Sequence, residues 1–216
     1  MTKPKPPPQS RSSKPPYHHG DLRRALVSAG LAIVGSEGIE ALSLRAVARR
    51  AEVSHSAPYH HFQDKAELLA AVAAAGFEQL VAAIEAQASE SQARTALDAL
   101  RAVGRGYLRF AVGHPAIFRL MFRPELTRPA EHPVLVAAEA LAFGKLLQTV
   151  AMCQQTGELP GHDPLPPSAA CWSIVHGLAM LKVEQVLGET PLGGIPFEQL
   201  VAAVVETVIA GVRARP

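Results

Sequence analysis

Leu22, Leu26, Ala29 and Ile33 recur at spacings of four, three and four. That rhythm makes one apolar stripe and predicts a helix over residues 21–37, with Gly38 as its stop. Ser43 follows as an N-cap before Leu44, Val47, Ala48 and Ala51, which turn inward while Arg45, Arg49 and Arg50 do not. Ser54 is placed to cap a third, short helix. Asp64 and Glu67 form a D-x-x-E pair opening a long fourth one, along which Phe77, Leu80, Val81 and Ile84 fall at i, i+3, i+4 and i+7.

Past residue 90 the pattern predicts helices near 92–112, 115–122, 133–157, 167–188 and 196–213. Gly113 and the Pro- and Gly-rich stretches 124–133, 157–167 and 188–196 separate them. Neither a tandem repeat nor strand-like alternation bounded by hairpin turns is visible. The expected fold is all-α, with about nine helices: a three-helix helix-turn-helix domain over 17–81 and a larger helical domain over 82–216. Residues 1–16 hold six prolines, three serines and Lys3, Lys5, Arg11 and Lys14, the composition of a disordered basic arm.

Residues 43–62, SLRAVARRAEVSHSAPYHHF, read as two short helices joined by a tight corner. In such a helix-turn-helix unit the second helix enters the DNA major groove. At 100° per residue, His55, Ser56, Tyr59 and His60 share one polar arc about 140° wide, while Pro58, His61 and Phe62 fall on the other side. One face offers hydrogen-bonding groups and the other an apolar anchor. Imidazoles at His55 and His60 suit guanine edges or phosphates, and the hydroxyls of Tyr59 and Ser43 suit phosphate oxygens. Arg45 can reach a base or a phosphate, and Lys65 sits in the first turn of the fourth helix, where phosphate is already attracted.

Charge supports this reading. The chain carries only +2 overall, yet residues 1–65 hold ten Lys and Arg against five Asp and Glu, while the remainder is mildly acidic. A basic end on an acidic body fits a polyanionic partner for that end. Cys153 and Cys171 lie in apolar helical patterns and are expected to be packed thiols in a reducing cytosol. No metal, cofactor or membrane span is expected, and no nucleophile–base–orienter set, phosphate loop or metal-spaced ligand group stands out. The alternative is an all-α ligand carrier or enzyme that does not bind DNA.

Residues 18–81 resemble the DNA-binding domain of TetR/AcrR-type transcriptional regulators. The matching features are Gly38, the S-L-R-A-V-A run from Ser43, A-E-V-S at the corner, and Y-x-H-F followed by D-K at Tyr59–Phe62, Asp64 and Lys65. The resemblance implies a cytoplasmic homodimer on a pseudo-palindromic operator, a repressor released by a small effector. It places the DNA contacts at Ser43, Arg45, His55, Ser56, Ala57, Tyr59, His60 and Lys65. Two departures stand out. Glu52 occupies a turn position usually held by glycine, implying strain, and Pro58 removes a backbone donor, implying 3₁₀ geometry in the third helix.

The C-terminal half resembles a WHG-type effector domain through Trp172, His176 and Gly177 in CWSIVHGLAML, with the segment 106–122 beside it. A pocket for an apolar or amphipathic effector is expected among Tyr107, Phe110, His114, Phe118, Met121, Phe122, Phe143, Trp172 and His176, with Arg119 as a further polar handle. The helix near 167–188 has two apolar faces: Trp172, His176, Ala179 and Val183 on one, Ile174, Leu178, Leu181 and Gln185 on the other. The helix near 196–213 has a wide stripe from Phe197 to Val212. Surplus apolar surface of this kind predicts a homodimer through these two helices.

Overall fold

The computed structural model describes residues 19–214, so the basic arm 1–16 lies outside the described residues. Nine α-helices are present among them: α1 (His19–Glu37), α2 (Leu44–Arg50), α3 (Lys65–Glu90), α4 (Ala96–Gly113), α5 (Pro115–Met121), α6 (Pro124–Thr127), α7 (Pro133–Gln155), α8 (Leu165–Val183) and α9 (Phe197–Arg213). No strand occurs among the described residues. The expected number is met by a different set of helices. The third predicted helix is a single 3₁₀ turn, Ala57–His60, while the stretch read as a loop after residue 124 contains α6 and a 3₁₀ turn at Pro129–Glu131.

Two of the expected N-caps hold and one does not. Ser43 accepts a hydrogen bond from the Ala46 amide at 3.1 Å, and Asp64 accepts one from the Glu67 amide at 2.9 Å. Ser54 caps nothing; its hydroxyl lies 3.2 Å from that of Ser56. With Pro58 offering no N–H, the segment closes instead through Tyr59 N–H to Ser56 and His61 N–H to Pro58, the tighter 3₁₀ pattern.

The corner after α2 ends in a Schellman arrangement: the Val53 amide donates to the Ala48 carbonyl and the Glu52 amide to that of Arg49. Glu52 takes the left-handed conformation, φ 55°, that this motif demands. A glycine would adopt it without a Cβ clash, so the strain inferred from the sequence is real.

Leu26, Val34, Leu42, Val47, Phe62, Leu68 and Val72 are buried together, seating α1, α2 and the 3₁₀ turn on the first half of α3. The second half of α3 packs on α4 and α7. The α3–α4 approach is close because Gly106 lacks a side chain; a Cβ there would stand 2.8 Å from the Ile84 Cα. Thr95 and Asp98 form a capping box at the start of α4, and the Glu158 carboxylate accepts from the Ala96 and Leu97 amides at 3.2 and 2.9 Å. Those backbone bonds, led by the one from Leu97, hold the Glu158 carboxyl below its ordinary range. Arg101 ties α4 to α9 through a bidentate pair with Glu206, at 2.7 and 3.1 Å.

The sequence suggested no apolar run long enough to span a bilayer, yet α3 and α7 are each long and apolar enough by length and composition. In α3 most of that stretch is interior, 61% buried; in α7 the share is 22%, with Val134, Leu141 and Met152 exposed. Cys153 and Cys171 are buried free thiols, both pushed up to about 11 chiefly by desolvation.

The expected α9 stripe is largely used within the subunit, because Leu200, Val201, Val205, Val208 and Val212 face the core. The exposed positions of α9 are either polar, as at Glu198, Gln199, Glu206, Thr207 and Arg213, or small, as at Ala203, Ala210 and Gly211. On α8, Leu178, Ala179 and Val183 are buried, whereas Ile174 and Leu181 point outward. Gln185 lies beyond the helix end.

Candidate functional site

The polar arc of the helix-turn-helix unit is presented outward. Arg45, His55, Ser56, Tyr59, His60 and Lys65 are exposed, Tyr59 by 54% despite its ring, while Pro58 and Phe62 are buried. The Arg23 guanidinium lies 5.2 Å above the Phe62 ring and pins the anchor to α1. Burying Phe62 stabilises this seat by roughly 1.5–3 kcal/mol.

Three assignments gain detail. At three residues per turn, Ala57 eclipses His60, so the half-buried alanine lies on the exposed side and not at the arc's margin. The Ser43 oxygen is committed to capping α2, which leaves its O–H free to donate. The start of α3 already holds two carboxylates of its own: Asp64 on the Glu67 amide and Glu67 on the Gln63 amide, at 2.8 Å. The Gln63 and Glu67 amides at the start of α3 are thus already paired, and the exposed Lys65 ammonium is the positive group at this end of the helix.

The second site is a cavity of about 540 Å³ enclosed by α3, α4, α7, α8, α9 and the α5–α6 corner. Tyr107, Met121, Phe122, Phe143 and Trp172 of the predicted set line it. Phe110, His114, Phe118 and His176 do not. Phe110 and His114 lie one and two turns past Tyr107, about 10 Å further along the axis for His114, where the two rings pack 5.0 Å apart. Phe118 and His176 form the layer behind the wall, and His176 touches Tyr107, Phe118, Phe122 and Trp172. Arg119 faces away, held by Glu184 at 2.8 Å and by the Val183 carbonyl.

Within that layer the Tyr107 hydroxyl and His176 Nδ1 are 2.8 Å apart. Burial raises the Tyr107 phenol, with a hydrogen bond from Trp172 pulling the other way. Burial also holds the His176 imidazole below its ordinary range, which favours a neutral ring hydrogen-bonded to the tyrosine hydroxyl through Nδ1. Of the trio read from the sequence, Trp172 lines the cavity, His176 lies behind it bonded to Tyr107, and Gly177 does not line it.

Sequence reasoning missed Glu139, Thr127 and the contribution of α3, whose Phe77, Leu80 and Ile84 also line the space. Glu139 had a visible signal: it is the single charge in PVLVAAEALAFG, residues 133–144. An isolated carboxylate in an apolar helix needs a reason to be there.

An outward-facing helix-turn-helix unit joined through one long helix to a helical domain with a cavity is the architecture of a DNA-binding transcriptional regulator. Residues 100–208 match the family described as Tetracyclin repressor-like, C-terminal domain, and residues 26–72 match Bacterial regulatory proteins, tetR family. The chain belongs to the tetR family. It is 28% identical over 145 residues to the HTH-type transcriptional repressor KstR of Rhodococcus jostii strain RHA1, a match spanning 67% of this chain and 65% of that protein. A structure of a protein with unknown function from Rhodococcus sp. RHA1 is 31% identical, covers 93% of this chain and 100% of its own, and superposes with a TM-score of 0.77. A TetR family transcription regulator from Marinobacter aquaeolei VT8 shares the fold at 21% identity, with coverage of 90% and 96% and a TM-score of 0.63.

Proposed function

We propose that this chain is a homodimeric, non-enzymatic repressor that binds a pseudo-palindromic operator in the cytoplasm and is released by a small effector in the cavity. The division into a DNA-binding part over 17–81 and an effector and dimerisation part over 82–216 belongs to the same proposal, as do the DNA contacts from Ser43 to Lys65. One observation carries it: α3 runs unbroken from Lys65, on the exposed polar face, to Phe77, Leu80 and Ile84, on the cavity wall. A molecule filling the cavity meets the same rigid rod that sets the base of the reading turn.

A second connection runs through α5, which packs on both α1 and α3. Its Ile117 and Met121 sit over Gly76, where a Cβ would lie only 2.9 and 3.0 Å from them, and Met121 also lines the cavity. An effector pushing Met121 therefore presses on the α3–α5 contact and shifts the population toward a dimer whose two reading turns no longer match successive grooves. The exposed Ile174 and Leu181 of α8, together with the small exposed residues Ala203, Ala210 and Gly211 of α9, which packs on α8, support a two-fold four-helix interface.

The decisive experiment is selection of bound fragments from genomic DNA, followed by gel shifts on the recovered sites across a salt series. Sequence-selective binding that weakens steeply with salt is expected. Absence of any selective site refutes the reading.

A further inference from the structure

The cavity wall is apolar and aromatic, and among the described residues lining it Glu139 alone carries a formal charge. No arginine or lysine faces that carboxyl, and no hydrogen bond or ion pair engages it among the described residues. Nearby cations are taken: Lys145 holds Glu85 at 2.8 Å, and Arg128 stands 3.6 Å from Glu131. Glu139 is half-buried, and desolvation raises its carboxyl above the ordinary range, so an empty cavity does not favour the charge. A half-buried carboxylate with no partner keeps part of its desolvation cost until a counter-charge pairs with it.

The rings around the space narrow the choice of partner. Phe143 is one helical turn from Glu139 on the same face of α7, and its ring meets that of Trp172 at 5.9 Å. Phe122 and Tyr107 complete an aromatic lining. Ring faces attract cations and carry no counter-charge for an anion. An acidic ligand would face repulsion from Glu139 with no base to offset it, while a neutral one would leave the carboxylate unpaired.

We propose that the effector is a cationic amphiphile: an apolar body filling the cavity, with a basic nitrogen, protonated at neutral pH, resting against Glu139 among the rings of Phe122, Phe143 and Trp172. This rests on the reading of the cavity as the effector site and specifies its ligand class. At about 540 Å³ the space suits a molecule of drug-like size.

The test uses four probes with the same twelve-carbon chain, each kept below its micelle-forming concentration: dodecylamine, dodecyltrimethylammonium, dodecanol and dodecanoate. Trp172 is the chain's single tryptophan and stands on the cavity wall, so its fluorescence reports binding directly. Both cations should bind the full-length protein at least tenfold more tightly than dodecanol, with dodecanoate weakest. Glu139→Gln should erase that preference while leaving dodecanol affinity within about twofold, and Glu139→Lys should invert it toward dodecanoate. Circular dichroism and thermal melts establish that each variant is folded.

Dodecanoate binding as tightly as dodecylamine in the parent protein would overturn the proposal. So would a cation preference that survives Glu139→Gln, or failure of all four probes to alter the fluorescence. Operator binding measured without any probe is a separate readout. If it persists while the probe ranking fails, the ligand class is wrong and the DNA-binding reading stands; if it too is absent, both fall.

Discussion

The Tyr107 hydroxyl on α4 and His176 Nδ1 on α8 share a hydrogen bond of 2.8 Å, joining residues 69 positions apart at the back of the cavity wall. Tyr107 is buried, its ring packs edge-on to Phe118 at 5.6 Å, and His176 packs on Phe122 at 4.4 Å. One hydrogen bond therefore fixes the registry of two packed helices that line adjoining sides of the cavity. Tyr107→Phe should leave the imidazole nitrogen unpaired and cost about 1–3 kcal/mol. Each kcal/mol corresponds to roughly 2–4 °C of melting temperature in a chain of this size, so calorimetry resolves the loss.

The same imidazole gives a pH dependence. Burial lowers its pKa in the folded protein relative to the unfolded chain, so the fold prefers the neutral ring. The contribution is complete above the unfolded value of about 6.5 and is lost as pH falls through the lower folded value. His176→Asn keeps an acceptor for Tyr107 without a titrating group. Between pH 7 and pH 5 the parent should lose more melting temperature than this variant. Equal losses in the two proteins would show that His176 does not couple folding to protonation.

Much of the DNA-binding half was legible because its signals are local. Ser43 and Asp64 cap through atoms three residues away, and Pro58 announces its missing donor by identity. The error over Ser54 was local too: the turn that follows is 3₁₀ and starts only at Ala57, so Ser56 and not Ser54 precedes it. The cavity was only half legible. An apolar helix reveals that it buries a face, not which neighbour covers it, so Phe110 and Phe118 could not be told from Phe122 and Phe143. The α9 stripe shows the same limit: most of its valines are satisfied inside the subunit, and only packing reveals that Ala203 and Gly211 lie among its exposed residues.

Gly106 and Gly144 are both interior helix glycines, yet they should respond oppositely to alanine. Either replacement gains up to about 1 kcal/mol of helix propensity. At Gly106 the new Cβ meets the Ile84 Cα at 2.8 Å and the Ala83 carbonyl oxygen at 3.2 Å, backbone atoms that yield only if α3 and α4 separate. Overpacking of that kind costs about 1–3 kcal/mol, so Gly106→Ala should lower the melting temperature. Nothing lies within 4 Å of the Gly144 position, and Gly144→Ala should raise it.

Relief of strain at the corner is a further test. Glu52 holds φ 55° at the position that ends α2, and its side chain is exposed. Glu52→Gly should stabilise the protein by about 0.5–1 kcal/mol, because the left-handed penalty of roughly 1–2 kcal/mol is partly offset by glycine's greater unfolded freedom. Operator affinity should hold within a few-fold. Tyr59→Ala and Lys65→Glu should instead weaken binding at least tenfold with unchanged helicity, which gel shifts and circular dichroism measure together.

The dimer interface can be located by charge insertion on competing apolar faces. Ile174 and Leu181 on α8 are 49% and 42% exposed and seven residues apart on one side of the helix, and α9, which packs on α8, has small exposed residues at Ala203, Ala210 and Gly211. A two-fold interface buries each such side chain twice, and burial contributes roughly 1.5–3 kcal/mol apiece. Leu181→Glu removes that contribution on both subunits and forces two carboxylates into the contact, enough to raise the dimer dissociation constant more than a hundredfold. Sedimentation should find a monomer with intact helicity and operator affinity reduced toward that of a single half-site. Leu141→Glu, on the open face of α7, should leave the dimer whole. If Leu141→Glu dissociates the protein and Leu181→Glu does not, the two-fold axis runs past α7, and the placement of α8 and α9 at the subunit contact is wrong.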